Sequence, residues 1–313
     1  VSYSNGDNPV IQIDSLGLMG RIEIEKYVLF LDEFNSVIEY LWTSDTLATK
    51  RVQIFQAFKK IVQNAKQIIA VDADISDICF DFLNYCGVKY QFLVLDYKHN
   101  NGIKAVEVAD EEQFMINLSK EDKFICATDS LAEANRIALI LKNMGVEDIK
   151  VITSETEEYG RLDNYDKIIF SPKVIYGLDS TIKRAVYCFY KEHTITTENF
   201  LQQISRARDI TKLTYHFMRK KVKEPIWETH SQCYNELLTQ ENESINEFKM
   251  FATKEDNSIF VKILSKILYN RDCDQTNRLC HFKLGLQAKG FIDTNLYGKN
   301  KSYDRIKQKE LLD

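Results

Sequence analysis

The sequence contains no apolar run approaching the roughly 18–20 residues that a bilayer span requires, so no membrane-crossing helix is expected. Its seven cysteines form no Cys-x-x-Cys pair. Several sit inside apolar runs, as Cys126 does in Phe-Ile-Cys-Ala and Cys188 in Val-Tyr-Cys-Phe. Cysteines placed this way act as small reduced hydrophobes, which points to an intracellular, reducing compartment, cytoplasm or nucleus. Cys273, Cys280 and His281 fit no common zinc spacing, and no zinc site is expected there. Positive charge is not in excess either: 41 Lys and Arg against 46 Asp and Glu leave a net charge of −5. Composition therefore gives no argument for nucleic-acid binding, although a basic cleft remains compatible with it. Proline is scarce, at three residues, and with the abundant Asn, Lys and Ile this suits an AT-rich genome. No secretory signal is present; the chain opens on Val1 and a polar stretch through Pro9, and a start other than Met is expected of a piece of a longer protein.

What is present is a balanced globular composition, 44% apolar and 28% charged, which excludes a disordered chain. The 313 residues allow two or three domains, each with a sizeable core. Short apolar runs at Val10–Ile13, Tyr27–Leu31, Gln67–Val71 and Phe92–Leu95 read as strands. Unbroken runs of this length predict burial on both faces, hence a parallel sheet sandwiched by helices. Helical spacing separates them, in Val52-x-x-Phe55-x-x-Phe58-x-x-Ile61-Val62 and over Ile78–Leu83. A polar, Gly-containing stretch from Lys98 to Lys104 reads as a linker.

The alternation then resumes. Phe124–Thr128 predicts a strand, and Ser130-Leu131-Ala132-Glu133 is a capping box opening a helix that Gly145 closes. Strands follow at Val151–Thr153, Lys167–Phe170 and Ala185–Tyr190, a helix over Thr197–Arg208, and a strand at Leu213–Phe217. Two consecutive βα blocks predict two α/β domains. Beyond Arg219 the periodicity is helical, with Phe260, Leu264, Ile267 and Leu268 on one face.

The chemistry-bearing residues follow strands. Asp32-Glu33 ends an apolar run and so places two carboxylates at a strand tip, the edge where ligands bind in open α/β sheets. An Asp there can hold Mg²⁺, and a neighbouring Glu can orient the water that attacks a γ-phosphate. The plainer alternative is a pair of exposed carboxylates. Asp72-Ala73-Asp74-Ile75-Ser76 ends the next run, and capping of the following helix is the better account of Ser76. Arg206 and Arg208 are two apart and cannot share a helical face. Either the helix ends there or the two serve different partners.

In order along the chain, these elements resemble the motifs of superfamily 2 helicases, above all the herpesvirus-type origin-binding helicases and their relatives in large DNA viruses. Val-Leu-Phe-Leu-Asp32-Glu33 resembles motif II, and Val-Asp72-Ala-Asp74-Ile-Ser resembles motif III. Phe124-Ile-Cys-Ala-Thr128-Asp-Ser130 is similar to motif IV, and Ser171-Pro172-Lys-Val-Ile-Tyr-Gly177-Leu-Asp179 to motif V. Gln202-x-x-Ser205-Arg206-Ala-Arg208 is similar to motif VI, with Ser205 where a Gly is more usual. Val10-Ile-Gln12-Ile-Asp14-Ser15-Leu16 resembles the strand-contacting motif upstream of motif II.

The resemblance implies an α/β fold of two RecA-like parallel-sheet domains. The first, incomplete, would occupy residues 1–97 and the second 106–218, joined by a linker at 98–105 and followed by a mainly helical region at 219–313. It implies ATP and Mg²⁺ as cofactors, with Asp32 on the metal, Glu33 on the water, and Arg206 and Arg208 catalytic. Gln202, Asp72, Asp74, Gly177 and Asp179 would serve the nucleotide. Asp14, Ser15, Thr128, Ser171 and Gly177 would lie along a nucleic-acid strand crossing both domains, and Asp32, Asp72 and Arg206 would line one cleft. The implied partners are single-stranded or duplex DNA, with RNA left open, and other replication proteins. One part of the pattern is missing: no Gly-x-x-x-x-Gly-Lys-Ser/Thr loop occurs, and Gly298-Lys299 lacks both the partner glycine and the hydroxyl residue. Two functions follow: part of an ATP-driven helicase motor whose phosphate loop lies upstream of Val1, or a non-hydrolysing module that binds nucleic acid or a replication partner.

Overall fold

The computed structural model describes residues 10–18, 23–157, 160–174, 178–191, 193–218, 224–243 and 253–293. In chain order the elements begin with β1 (Val28–Leu31), α1 (Phe34–Thr43), α2 (Arg51–Asn64), β2 (Gln67–Ala70) and α3 (Asp77–Tyr85). They continue with β3 (Lys104–Glu107), α4 (Glu111–Ser119), β4 (Phe124–Thr128), α5 (Leu131–Asn143), β5 (Ile149–Ile152) and β6 (Lys167–Phe170). Then follow β7 (Arg184–Tyr190), α6 (Thr197–Ile204), β8 (Ile210–Phe217), α7 (His230–Glu243), α8 (Lys254–Ala288) and β9 (Ile292–Asp293). The described residues fall into two compact units, one up to Val94 joined by Pro225–Asp272, the other Leu95–Glu224 joined by the chain from Cys273.

In the first unit β1 and β2 pair in parallel, with Phe30 opposite Ile69 and Leu31 opposite Ala70. Helices α1, α2 and α3 bury an aromatic cluster beneath them. Trp42 lies 1% exposed, stacked on Phe260 of α8 at 5.4 Å and edge-on to Phe55 and Phe82. Its indole N–H donates to the Phe260 carbonyl at 3.0 Å, satisfying the ring's one polar atom. Lys59 pairs with the buried Asp256, which also accepts from Gln56, so two further bonds tie α8 to α2.

Three sequence expectations are corrected here. Val10–Ile13 is not a strand: residues 10–12 are irregular and a 3₁₀ turn runs Ile13–Leu18, because Ile11, Ile13 and Leu16 reach the core by turning. Phe92–Leu95 is no strand either; Leu93 and Leu95 are 85% and 91% exposed, since an apolar run becomes a strand only beside a partner strand. Finally, the apolar runs of β1 and β2 are not buried on both faces. Leu29, Leu31, Ile68 and Ala70 turn toward the helices, while Val28, Phe30 and Ile69 remain exposed.

The second unit is a seven-stranded sheet, order β5-β6-β4-β7-β8-β3-β9, with every pairing parallel. Here the expectation of two-sided burial is met: every residue of β4 and β7 is buried. β3 begins at Lys104, within the stretch read as a linker. Ser130 caps α5 by accepting from the Glu133 N–H at 3.2 Å, and Gly145 ends it in the left-handed region at φ 84°. The end of α8, from Cys273, belongs to this unit, and Asn277 within it leaves helical geometry at φ −128° and ψ 34°. Phe282 and Leu286 pack with Phe200, Leu201 and Phe217, and β9 adds an edge strand to β3.

Truncating Trp42 to Ala removes the centre of the first unit's aromatic cluster and the indole bond to the Phe260 carbonyl. The expected loss is about 3–5 kcal/mol, read as a lower urea midpoint by circular dichroism. A variant within about 0.5 kcal/mol of wild type would contradict this packing.

Candidate functional site

The first candidate site is the carboxyl end of β1 and β2. Chain direction carries both strands to the same edge; Asp32 follows β1 directly and Asp72 follows β2 after Val71. Asp32 is exposed, and no described residue takes its carboxylate. Glu33 occupies the left-handed region at φ 52° and ψ 50°, a strained conformation for a residue with a Cβ. That strain turns the chain sharply into α1. A lone carboxylate at a strand tip, open to solvent, is the donor set that Mg²⁺ accepts when waters and phosphate oxygens complete its octahedron.

Asp72 closes the same edge in another way. Its Oδ2 accepts from the Asn35 N–H at 2.7 Å and its Oδ1 from the Asp74 N–H at 2.8 Å. Both oxygens are therefore committed to backbone amides, one of them in the first turn of α1. Ser76 stands at the N-cap of α3, as expected, but makes no side-chain cap bond; its hydroxyl donates to Asn35 Oδ1 instead. Asn35 is buried and joins the two strand tips. Sequence reading missed it, since an Asn after Asp-Glu-Phe gives no signal until β1 and β2 are known to be neighbours. Asp14 is exposed and Ser15 half-buried in the 3₁₀ turn, which lies against α2.

The second unit separates its candidates between two edges. Thr128 and Ser171 follow or end β4 and β6 at the carboxyl edge, and both are buried. The Thr128 hydroxyl lies 2.9 Å from the Ser130 carbonyl and 3.1 Å from that of Phe170. The Ser171 carbonyl accepts from Gln203 Nε2 at 3.0 Å. Both side chains are buried, Thr128 at 0% and Ser171 at 3% exposure. Gly177 lies outside the described residues.

At the opposite, amino edge, α6 ends at Ile204, earlier than expected, and the chain turns through Ser205 and Arg206. This settles the helical-face problem: off the helix, both arginines converge on one carboxylate. Arg206 Nη1 donates to Asp179 Oδ1 at 3.2 Å and Arg208 Nη2 to Asp179 Oδ2 at 2.8 Å. Backbone bonds fix the two segments side by side, Ser180 N–H to the Arg206 carbonyl at 2.7 Å and Arg208 N–H to the Ser180 carbonyl at 2.8 Å. Asp163 adds a second anchor, accepting from the Ser180 hydroxyl at 2.8 Å and the Thr181 N–H at 3.0 Å. Nearby, Arg184 is 1% exposed, and burial lowers its pKa. Gln202 is 4% exposed, and its Oε1 has no partner among the described residues.

The C-terminal segment holds α6 in place. Asp274, in α8, accepts from the Thr197 N–H at 3.2 Å and from the Thr197 hydroxyl, with His281 Nδ1 at 3.6 Å. Arg278 donates to the Tyr190 hydroxyl at 2.7 Å and to the His193 and Ile195 carbonyls at 3.0 and 2.9 Å. These residues carried no sequence signal, because their role depends on α8 returning to the first turn of α6. Among the described residues, no cluster of three or more His, Cys, Asp or Glu could hold a metal, and no helix is long and apolar enough to cross a membrane.

The described residues thus give a parallel α/β build, with acids after the strands of the first unit and paired arginines after α6 in the second. Residues 6–94 match the family model described as origin of replication binding protein, of the herpesvirus type, which is the family the motifs resemble. No curated protein matches this chain. Among solved structures it is similar to S. cerevisiae Dbp5 bound to RNA and ADP BeF3, at 13% identity and a TM-score of 0.43, covering 77% of this chain and 63% of that one. It is also similar to the Mycobacterium smegmatis helicase Lhr bound to ssDNA and AMP-PNP, at 12% identity and a TM-score of 0.43, covering 93% of this chain and 40% of that one. T. fusca Cas3 is similar at 10% identity and a TM-score of 0.43, covering 84% of this chain and 39% of that one. The chain thus spans 63% of the length of the Dbp5 structure.

The Asp274 contact gives a pH-dependent expectation. Burial alone would raise its pKa; hydrogen bonds from His281 and Thr197 outweigh burial and hold the carboxyl below its ordinary 3.8. A depressed folded-state pKa contributes stability fully present above the unfolded value and lost as pH falls through the folded one. Asp274→Ala should therefore cost about 1–3 kcal/mol at pH 6, with faster hydrogen exchange over residues 197–204, and the gap to wild type should shrink toward pH 3. A gap that stays constant with pH would count against the bond.

Proposed function

We propose that this chain is part of an ATP-dependent helicase motor of a viral origin-binding protein and acts on DNA during replication. The observation that carries the reading is the convergence of Arg206 and Arg208 on one carboxylate outside the helix. Two guanidinium groups held by backbone bonds form a fork suited to phosphate oxygens. In this reading Asp32 ligates Mg²⁺ and Glu33 orients the attacking water. A divalent cation held by Asp32 would supply positive charge against the phosphate oxygens. Arg206 and Arg208 answer the negative charge that grows on the transferred phosphoryl group. Gln202, with its unpaired carbonyl oxygen, and Asp74 lie toward the nucleotide; Asp72 supports α1 and the 72–76 turn. Ser15 and Asp14 face the nucleic-acid backbone. The 313 residues contain no phosphate-binding loop, so nucleotide binding by this chain alone is weak and turnover absent.

The test is steady-state ATPase with single-stranded DNA present. The chain by itself should hydrolyse none, and its DNA affinity should fall steeply with salt. A polypeptide containing this chain together with a Gly-rich Lys-Ser/Thr loop should hydrolyse ATP in a DNA-stimulated manner. In it, Glu33→Gln should abolish turnover and retain nucleotide binding, while Arg208→Ala should slow turnover by about 10³–10⁵. An inert longer protein that still binds DNA would favour the non-hydrolysing module. Hydrolysis by the 313-residue chain alone would refute the account of the phosphate site.

A further inference from the structure

We infer that Asp179 is a resident counter-ion, a carboxylate occupying the phosphate position of the Arg206–Arg208 fork that an incoming polyphosphate displaces. The inference rests on reading those arginines as phosphate ligands. Its own support is geometric. One carboxylate engages both guanidinium groups through separate oxygens, at 3.2 and 2.8 Å, which imitates the way two oxygens of one phosphate would be held. The contact is open to solvent on the acid side: Asp179 is 41% and Arg208 48% exposed, Arg206 only 12%. Exposed ion pairs of this kind are weak and screened, so a single carboxylate yields to an anion carrying several charges.

The fork does not depend on the carboxylate for its shape. The paired backbone bonds between Ser180 and residues 206 and 208, the Arg206 Nε bond to the Gln202 carbonyl at 3.3 Å, and the Asp163 anchor all form without the Asp179 side chain. Asp179 therefore neutralises an empty fork without building it. Its presence sets a threshold: weak anions and single phosphates do not fill the fork, whereas a polyphosphate does. The orphaned Gln202 Oε1, buried on the same turn of chain, is a further acceptor waiting for a donor that a bare polyphosphate cannot supply and an adenine or ribose can.

The experiment follows the Arg206 and Arg208 Nε–Hε signals by NMR while tripolyphosphate, and separately ATP, is titrated into the 313-residue chain at low salt. Tripolyphosphate carries no ribose or base, so it isolates the fork. Asp179→Asn should tighten tripolyphosphate binding roughly three- to tenfold while leaving the β4 and β7 amide spectrum unchanged. An Arg206→Ala, Arg208→Ala double variant should lose binding. If the double variant loses binding and Asp179→Asn leaves it unchanged or weaker, the counter-ion inference is overturned and the phosphate reading stands. If the double variant binds as wild type does, or no signal moves in either wild type or Asp179→Asn, the phosphate reading fails and the inference with it.

Discussion

Parallel strands need cover on both faces, because their crossover connections lay helices against the sheet and leave no hydrogen-bonded hairpin to close it. The second unit meets that requirement fully, and its central strands are buried from end to end. The order of its edges then follows: connections leaving the carboxyl edge carry Thr128 and Ser171 inward, and connections returning to the amino edge deliver Asp179, Arg206 and Arg208. In the first unit the same requirement is met on one side only, so Phe30 and Ile69 stand paired and exposed. The chemistry of each unit is placed by strand direction before any side chain is chosen.

Much of this order could be read from the sequence. Runs such as Phe124–Thr128 and Lys167–Phe170 became strands over those same residues, since five or so apolar residues between polar turns have few other ways to be buried. Apolar content failed as a guide where the partner was the deciding factor. Phe92–Leu95 is as apolar as any strand here, yet no neighbour lies beside it to accept its backbone bonds. Val10–Ile13 turned because its core contacts lie at positions suited to a 3₁₀ turn.

The candidate site was legible as composition and illegible as contact. Asp32, Glu33, Arg206 and Arg208 announced themselves by residue type and by order along the chain. What Asp72 does with its oxygens, why Asn35 is buried, and how Asp274 reaches Thr197 depend on contacts between residues 37 to 77 positions apart. Thr128 is legible as the end of a strand, whereas its hydroxyl contacts with the Ser130 and Phe170 carbonyls are not, since Phe170 lies 42 positions away on the neighbouring strand.

Glu33 separates two demands that usually coincide. A left-handed backbone at a strand-to-helix turn is a position that folding alone would give to glycine, which has no Cβ to crowd the preceding carbonyl. A glutamate there keeps the turn at a steric cost and places its carboxylate one residue after Asp32. The residue is thus a poor choice for the loop and a good one for whatever the carboxylate must reach, and drift toward glycine at this position would relax the backbone while emptying the strand tip of its second charge.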